Sequence, residues 1–241
     1  MDISPSSSLN ISLSCSSNPH FPAMPLPSSS STKKTIYFAY GSNLWREQMR
    51  TRCPTSRYWG LARLKGYEWI IYERGYANVI EKEHTNDGRK IEEEADGKKK
   101  HDYSNEVWGL VYSLETEDEK RLDRNEGVPV SYQKEQIGCE FWPAEAEHND
   151  SKEGRPDPSK RSKKIDMLLY INRNLKKVGD IKKEYVYRMN QGIADAVKEG
   201  MPKEYVEQVL REYIREEEDE IRHERVQETA ERQAANFENE R

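Results

Sequence analysis

Four polar segments, in which apolar side chains are few or scattered singly, divide this sequence and limit how much of the chain can build a hydrophobic core. They cover residues 1–34, 82–106, 147–164 and 215–241, and they leave 137 of the 241 residues with the composition of an ordered domain. A segment must bury apolar surface to offset the entropy lost on ordering, so we predict that all four lie outside the core. The remainder suits one domain of ordinary size, over residues 35–214 with two polar insertions.

The composition of each segment indicates a different kind of polar chain. Residues 1–34 hold 12 serines and 5 of the 11 prolines, which predicts a disordered tail. Residues 82–106 carry eight acidic and six basic side chains, which predicts a solvated insertion. Residues 147–164 predict an exposed loop, with a localisation signal at its basic cluster as the alternative. Residues 215–241 carry ten acidic and five basic side chains, which predicts an acidic tail of helical composition.

Charge and apolar content exclude several classes of function. The net charge of −5 equals that of the last 27 residues, so the chain lacks the broad basic surface of a nucleic-acid-binding protein. No run approaches the roughly 18 apolar residues of a membrane-spanning helix, so we expect no membrane partner either. Cys15, Cys53 and Cys139 are too far apart for a zinc or redox pair. Without a clear targeting signal, the default expectation is a cytoplasmic protein.

Short β-branched and aromatic runs dominate the middle of the chain. The run TIYFAY at residues 35–40 predicts a strand that ends at Gly41, before a helical segment at residues 44–52. Further strands are predicted at residues 58–64, 67–72, 77–81, 107–114, 132–141 and 166–171.

Two further helices are predicted between and after these strands. Thr116 and Glu119 have the spacing of a capping box, so a helix would begin there and end at Gly127. Pro202 would open another helix with an apolar stripe. Strands and helices without βαβ alternation predict an α+β fold, with a small, mixed, mostly antiparallel β-barrel and flanking helices.

The predicted core contains no histidine, because all five histidines fall in the four polar segments. This excludes nucleophilic schemes and metal sites that depend on histidine. No phosphate-binding loop, dinucleotide-binding or nucleophile-elbow motif is present either. If the domain is an enzyme, a carboxylate, lysine or tyrosine must move the proton.

Two places in the predicted core could carry chemistry. At Tyr40-Gly41-Ser42-Asn43 a buried strand turns into a helix, and successive backbone N–H groups there can receive a carboxylate or phosphate. A plain turn capped by Ser42 or Asn43 explains the same residues. The second place is Glu126, near the end of the helix that follows Thr116. It is either a solvated glutamate or a carboxylate set against the negative end of the helix dipole, as an acid/base residue could be.

These two segments together resemble the γ-glutamylcyclotransferase family, whose members carry a YGSN-type loop and, some eighty residues later, a glutamate in a context like LDxxEGV. The corresponding residues here are Tyr40 to Asn43 and Leu122 to Val128. Supporting similarity lies at LARL from Leu61, at EVWGLVY from Glu106, and at Tyr185 with Gly192 and GMP from Gly200. The loop sequence is similar to that of the general γ-glutamyl-amino-acid branch, here with fungal-type extensions.

The resemblance implies the fold of that family and an intramolecular cyclisation. A γ-glutamyl amino acid or peptide would become 5-oxoproline and release its amine, with Glu126 as general acid and base. It implies no cofactor and no metal, a small γ-glutamyl molecule as partner, and a monomer or homodimer. The residues that it implies for substrate binding are Tyr40, Gly41, Ser42, Asn43, Leu44, Tyr132, Tyr170 and Tyr185.

Two alternatives stay open at this point. The long insertions depart from the compact family pattern, so the substrate could be a bulky, glutathione-derived γ-glutamyl conjugate from secondary metabolism. The fold could also serve a non-catalytic protein that binds a carboxylate ligand or recruits partners. Each tyrosine named above could equally be a core ring with an ordinary satisfied hydroxyl.

Overall fold

The computed structural model describes residues 34–82, 101–145 and 154–216. The predicted N-terminal tail, most of the insertion at 82–106, the start of the insertion at 147–164 and nearly all of the acidic tail lie outside the described residues. None of the helices in the described part is long and apolar enough to cross a membrane.

Seven strands and four α-helices make up the described part of the chain. The strands are β1 Thr35–Ala39, β2 Arg57–Lys65, β3 Tyr67–Ile71, β4 Ala77–Glu81, β5 Glu106–Leu114, β6 Gln133–Pro143 and β7 Lys163–Ile171. The helices are α1 Arg46–Arg52, α2 Thr116–Asn125, α3 Lys183–Lys198 and α4 Lys203–Tyr205. A 3-10 turn at Ser42–Leu44 precedes α1, and a π-helical turn at Val206–Leu210 continues α4.

Five strands close into a barrel in the order β1-β5-β2-β6-β7. The pairs within it are antiparallel except for β1 and β7, which run parallel and are in register at Tyr37 and Leu168. Strands β3 and β4 form a separate two-stranded sheet. The predicted α+β fold with a small, mixed, mostly antiparallel barrel is therefore confirmed.

The core lies inside the barrel and beneath the helices. Strand β5 is buried along almost its whole length, because one side faces the barrel interior and the other is covered. Trp108 and Trp142 stack at a ring distance of 5.2 Å, and the Arg63 guanidinium lies over both rings. The two tryptophans thus pack in the wall of the barrel.

The helix starts differ from those predicted. The capping-box prediction is wrong in detail, because Glu115 rather than Thr116 occupies the N-cap position of α2, and its side chain makes no capping bond. The start of the helix is stabilised instead by three acidic residues in its first turn, which interact with the positive end of the helix dipole. They are Glu117, Asp118 and Glu119. After Gly41, the chain first makes the 3-10 turn, so that α1 begins two residues later than predicted.

Helix α3 was not predicted, although it is the longest helix of the described chain, with 16 residues. Its buried face includes Tyr185, Arg188 and Gly192, so polar side chains interrupt the apolar stripe that predicts a helix. A Cβ atom on Gly192 would lie 2.8 Å from the Cβ atom of Leu44, so the helix backbone packs directly against the 3-10 turn. This contact holds Tyr185 next to the YGSN loop.

The first insertion ends earlier than its predicted boundary. Glu106 begins β5 and is buried, accepting hydrogen bonds from Trp108 Nε1 at 2.8 Å and from Arg63 at 3.2 Å. His101, which is exposed and lies before β5, is 3.1 Å from the same carboxylate. In the second insertion, Lys163 and Lys164 likewise belong to β7.

Candidate active site

A cleft lies where β1 leaves the barrel, and it brings the two predicted motifs together. Its empty space is about 380 Å³, counting open solvent at the mouth. Most of the lining side chains are buried tyrosines, and one carboxylate is present among them. The lining residues are Tyr37, Tyr40, Gly41, Ser42, Asn43, Tyr76, Ala77, Glu126, Tyr132, Tyr170 and Tyr185.

The YGSN loop is a tight turn in which glycine is required for space. The amide of Leu44 donates to the Gly41 carbonyl at 2.9 Å, and the amide of Trp45 donates to the Ser42 carbonyl at 3.0 Å. A Cβ atom on Gly41 would lie 2.8 Å from the Tyr185 hydroxyl and 3.2 Å from the Ala77 Cβ atom. A side chain at this position would therefore displace the wall of the cleft.

The backbone amide of Ser42 is engaged within the protein. It donates to the Tyr185 hydroxyl oxygen at 3.1 Å, and the amide of Ala77 donates to the same oxygen at 3.4 Å. An acidic ligand that used the Ser42 amide, as the sequence predicts, would have to replace the Tyr185 hydroxyl. Neither Ser42 nor Asn43 caps α1, whose N-cap residue is Trp45.

Asn43 connects the loop to the predicted acid/base residue. Its Nδ2 group donates to Glu126 Oε1 at 3.1 Å and to the Tyr37 hydroxyl at 2.9 Å. Asn43 and Glu126 are 83 residues apart in sequence. The two motifs thus meet through a side-chain hydrogen bond, which a loop that merely turned the chain would not need.

Glu126 is held at the end of α2 by a Schellman motif. It is the C-cap residue, and Gly127 follows in the left-handed conformation with φ of 62°. The Gly127 amide donates to the Arg124 carbonyl at 3.2 Å, and the Val128 amide donates to the Asp123 carbonyl at 2.9 Å. These bonds fix the backbone of Glu126, which is partly exposed and whose side chain lines the cleft.

The predicted tyrosines line the cleft and also have partners within the protein. The Tyr40 hydroxyl donates to the Tyr170 carbonyl, and the Tyr170 hydroxyl donates to Asp123 Oδ1 at 2.7 Å. The Tyr132 hydroxyl donates to the Ala77 carbonyl at 3.0 Å. These tyrosines are therefore packed core rings with satisfied hydroxyl groups, and they also form the walls of the cleft.

Burial keeps these phenols neutral. It raises the pKa of Tyr37 and of Tyr40 well above the ordinary value, and the nearby Glu126 carboxylate adds to the effect. Burial also raises the pKa of Tyr170, as does its hydrogen bond to Asp123. Near neutral pH the cleft is thus walled by hydroxyl donors, and Glu126 is the carboxyl group in its lining.

The structure does not bring Leu44 into the cleft, although it was predicted to bind substrate. Leu44 is fully buried and packs against α3 at Gly192. Its backbone follows the loop, but the 3-10 turn rotates its side chain into the core.

Sequence reasoning missed three lining residues, Tyr37, Tyr76 and Ala77. Tyr37 lies in β1, three residues before Tyr40, and strand side chains at an odd separation point to opposite faces, so the spacing gave no signal for it. Tyr76 and Ala77 come from the β3–β4 hairpin, and the Tyr76 ring packs edge-on against Tyr185 at 5.2 Å. No motif in the sequence marks the hairpin as part of the site.

Within residues 34–82, 101–145 and 154–216, no group of three or more His, Cys, Asp or Glu side chains could hold a metal ion. The chemistry available in the lining itself is one carboxyl group, several phenol donors and a tight backbone turn.

Comparison with known proteins agrees with this fold. No family model matches the sequence. The chain is 30% identical over 93 residues to the Bos taurus protein named γ-glutamylcyclotransferase, and this stretch covers 39% of the chain and 44% of that relative. The matched stretch is thus less than half the length of the curated relative.

Solved structures match over most of the chain. A structure named γ-glutamyl cyclotransferase matches 83% of this chain and 99% of its own, at 20% identity and a TM-score of 0.53. A Homo sapiens structure, named as an uncharacterized protein, matches 82% of this chain and 98% of its own with the same identity and TM-score. The matched stretch of sequence and the shared fold together confirm the predicted resemblance to the γ-glutamylcyclotransferase family.

Proposed function

We propose that this protein is a γ-glutamylcyclotransferase that converts γ-glutamyl amino acids or peptides into 5-oxoproline and a free amine. The observation that carries the proposal is the hydrogen bond of 3.1 Å between Asn43 Nδ2 and Glu126 Oε1 in the tyrosine-lined cleft. It joins the loop and the glutamate that the resemblance singles out, with no other carboxyl group in the lining.

Glu126 is the base of the first step. The α-ammonium group of the substrate loses a proton to the carboxylate, and the neutral amine then attacks the γ-carbonyl carbon of the same molecule. A five-membered ring closes, so the nucleophile and the electrophile already belong to one molecule, and the protein has to hold the glutamyl arm folded. A carboxylate that accepts a hydrogen bond from a neutral amide is in the form that this step requires.

Glu126 is the acid of the second step. The proton that it took from the ammonium group passes to the nitrogen of the leaving amine while the bond from that nitrogen to the γ-carbon breaks. As the tetrahedral intermediate collapses, the ring nitrogen gives up its second proton, and the amine leaves as its ammonium ion. The products are 5-oxoproline and the protonated amine, the carboxylate is regenerated, and no water is consumed. One residue can serve both roles because the two nitrogen atoms are bonded to the same tetrahedral carbon.

The loop and the neutral phenols supply the polar contacts. Oxygen charge develops on the γ-carbonyl as the ring closes, and donors fixed before the reaction stabilise that charge without reorganising. The Tyr37 hydroxyl is such a donor, and the Ser42 amide becomes one when the substrate replaces the Tyr185 hydroxyl. Burial keeps Tyr37 protonated, so its oxygen can accept from Asn43 while its O–H group donates to the substrate. The O–H group of Tyr40 is used by the Tyr170 carbonyl and holds the wall of the cleft.

The test follows 5-oxoproline released from γ-glutamyl-alanine, glutathione and a γ-glutamylamine by purified protein. We expect the wild type to favour γ-glutamyl-alanine and Glu126→Gln to lose about 100-fold or more of kcat, as removal of a general acid/base does. The matched control is Glu117→Gln, on the same helix, whose side chain is 76% exposed and which we expect to keep full activity.

Three outcomes would contradict the proposal or redirect it. Equal activity of wild type and Glu126→Gln would remove Glu126 from the mechanism. Binding of 5-oxoproline without turnover of any substrate would favour the non-catalytic carboxylate-binding protein. If the protein turned over only bulky S-conjugates of glutathione, it would be a cyclotransferase dedicated to such conjugates.

A further inference from the structure

A network of buried polar side chains lies behind the YGSN loop and ends at two arginines. Ser42, Asn43, Gln48, Arg52 and Arg188 are all at most 6% exposed. Neither Gln48 nor either arginine lines the cleft. Hydrogen bonds in such a buried network are stronger than in water, and a wrongly oriented group is costly.

The side-chain amide of Asn43 has all of its hydrogen-bonding positions filled. Its Oδ1 atom accepts from Gln48 Nε2 at 2.8 Å and from Arg52 at 3.2 Å. Its Nδ2 atom donates to Tyr37 at 2.9 Å and to Glu126 at 3.1 Å. An amide has two acceptor and two donor positions, so this set is complete.

Arg52 fixes which end of the amide faces Glu126. A guanidinium group has donors and no acceptor, so the atom of Asn43 that faces Arg52 must be oxygen. If the amide turned over, its NH₂ group would oppose the guanidinium and its oxygen would oppose the Glu126 carboxylate. Arg52 therefore acts on Glu126 through Asn43, by turning the N–H donors of Asn43 toward the carboxylate.

A second arginine sets the direction of the neighbouring amide. Gln48 donates through Nε2 to Asn43 and to Ser42 Oγ at 2.9 Å. Its Oε1 atom accepts from Arg188 at 3.4 Å, and Arg188 also donates to Ser42 Oγ at 3.5 Å. Because the two arginines can only donate, they orient the side-chain amides of Gln48 and Asn43. Hydrogen bonds are then donated in sequence from the arginines, through these amides, to the Glu126 carboxylate.

We propose that Arg52 is a positioning residue for the cyclisation, holding Asn43 so that it donates to the Glu126 carboxylate. The proposal rests on the proposed function for its catalytic consequence. Loss of the donor would disfavour the ionised carboxylate that accepts the ammonium proton, while the walls that hold the substrate would stay in place. Arg52 therefore affects kcat more than KM.

The kinetic test compares three variants of the full chain. A hydrogen bond to a charged group is worth about 10-fold or more in rate, so we expect Arg52→Gln to lower kcat at least about 10-fold and to change KM less than about 3-fold. Arg52→Lys keeps a donor-only cation, and it should stay within about 3-fold of the wild-type kcat. Arg50→Gln, on the exposed face of α1, is the matched control and should leave both constants unchanged.

A second variant covers the case in which Arg52→Gln does not fold. Asn43→Asp keeps the shape of the side chain and an oxygen that accepts from Arg52 and Gln48, but it has no N–H group to donate to Glu126. Its kcat should fall as in Arg52→Gln. If a folded Arg52→Gln or Asn43→Asp variant keeps kcat within about 2-fold of wild type, or loses it only through KM, the proposal is wrong.

A titration without substrate keeps this proposal separate from the proposed function. Three phenols lie around the Glu126 carboxylate: Tyr37 on β1, Tyr40 directly after β1, and Tyr170 on β7. The other titratable or charged groups there are Arg52 and Cys53 at the end of α1, and Asp123 one turn earlier on α2. Burial raises the pKa values of the three phenols and of the thiol, so these groups stay protonated where carboxyl groups titrate.

The readout is the carboxyl carbon signal of Glu126 in protein labelled with ¹³C-glutamate, which is assigned by its loss in Glu126→Gln. Because Asn43 donates to the ionised form, we expect the titration midpoint to rise by about one pH unit in Arg52→Gln. An unmoved midpoint would overturn the positioning role even if the wild type cyclises its substrate. A raised midpoint in a protein without turnover would retain the positioning role and reject the proposed activity.

Discussion

A methyl group on Gly41 would collide with the Tyr185 hydroxyl, and the collision can be measured as a coupling energy. The added Cβ atom would lie 2.8 Å from that oxygen, so the two atoms must separate by about 0.6 Å to reach ordinary contact. Moving the hydroxyl weakens the bonds of 3.1 Å and 3.4 Å that it accepts from the amides of Ser42 and Ala77. Overpacking of this kind lowers the free energy of unfolding by about 1–3 kcal/mol.

Tyr185→Phe removes the oxygen that causes the collision. By itself it leaves two buried amides without that acceptor, which costs about 1–3 kcal/mol. In the double variant the new methyl group meets no hydroxyl, so the destabilisation should be smaller than the sum of the two single effects. We expect a coupling energy of about 1–2 kcal/mol in favour of the double variant.

The assay is urea unfolding followed by circular dichroism on the wild type, both single variants and the double variant. Gly138→Ala is the control, because its Cβ atom would meet its nearest neighbour at 3.3 Å and its backbone is not left-handed. The control should change stability by less than about 0.5 kcal/mol. Additive effects within about 0.5 kcal/mol would show that Gly41 and Tyr185 do not compete for space, and would refute the reasoning.

Two further predictions concern buried groups that do not line the cleft. Burial raises the pKa of Cys53 and of Cys139 to about 12, so in a Cys15→Ser variant neither thiol should react with a thiol reagent at about pH 8 until the protein is unfolded; rapid labelling of the native protein would contradict their burial. A Cβ atom on Gly192 would lie 2.8 Å from that of Leu44, so Gly192→Ala should lower the free energy of unfolding by about 1–3 kcal/mol, and an unchanged denaturation midpoint would argue against this close packing.

The strands could be predicted because their residues are locally suited to strands. TIYFAY and VWGLVY consist mostly of β-branched and aromatic residues, and the described strands over these segments begin and end within a few residues of the predicted positions. The end of α2 was equally clear, because Gly127 provides the left-handed residue that a Schellman motif needs. The sequence predicted a barrel as the fold class but not which strands pair to close it, since pairing between distant strands leaves no local signal.

The parts that were missed depend on contacts between distant residues. Helix α3 buries Arg188 and Tyr187, so its buried face is not an apolar stripe. The engagement of the Ser42 amide depends on Tyr185, which is 143 residues away. Tyr76 reaches the cleft because its hairpin packs there, which no spacing in the sequence encodes.

The parallel pair of β1 and β7 has a consequence for how the barrel opens. Strand β1 pairs with β5 along its whole length, from Thr35 to Ala39, whereas it pairs with β7 at Tyr37, opposite Leu168. The β1–β7 seam is therefore where thermal fluctuations should separate the barrel first. Strand β1 also carries Tyr37 and leads into the YGSN loop, so each transient parting of the seam would loosen one wall of the cleft while the Glu126 end of α2 stays anchored.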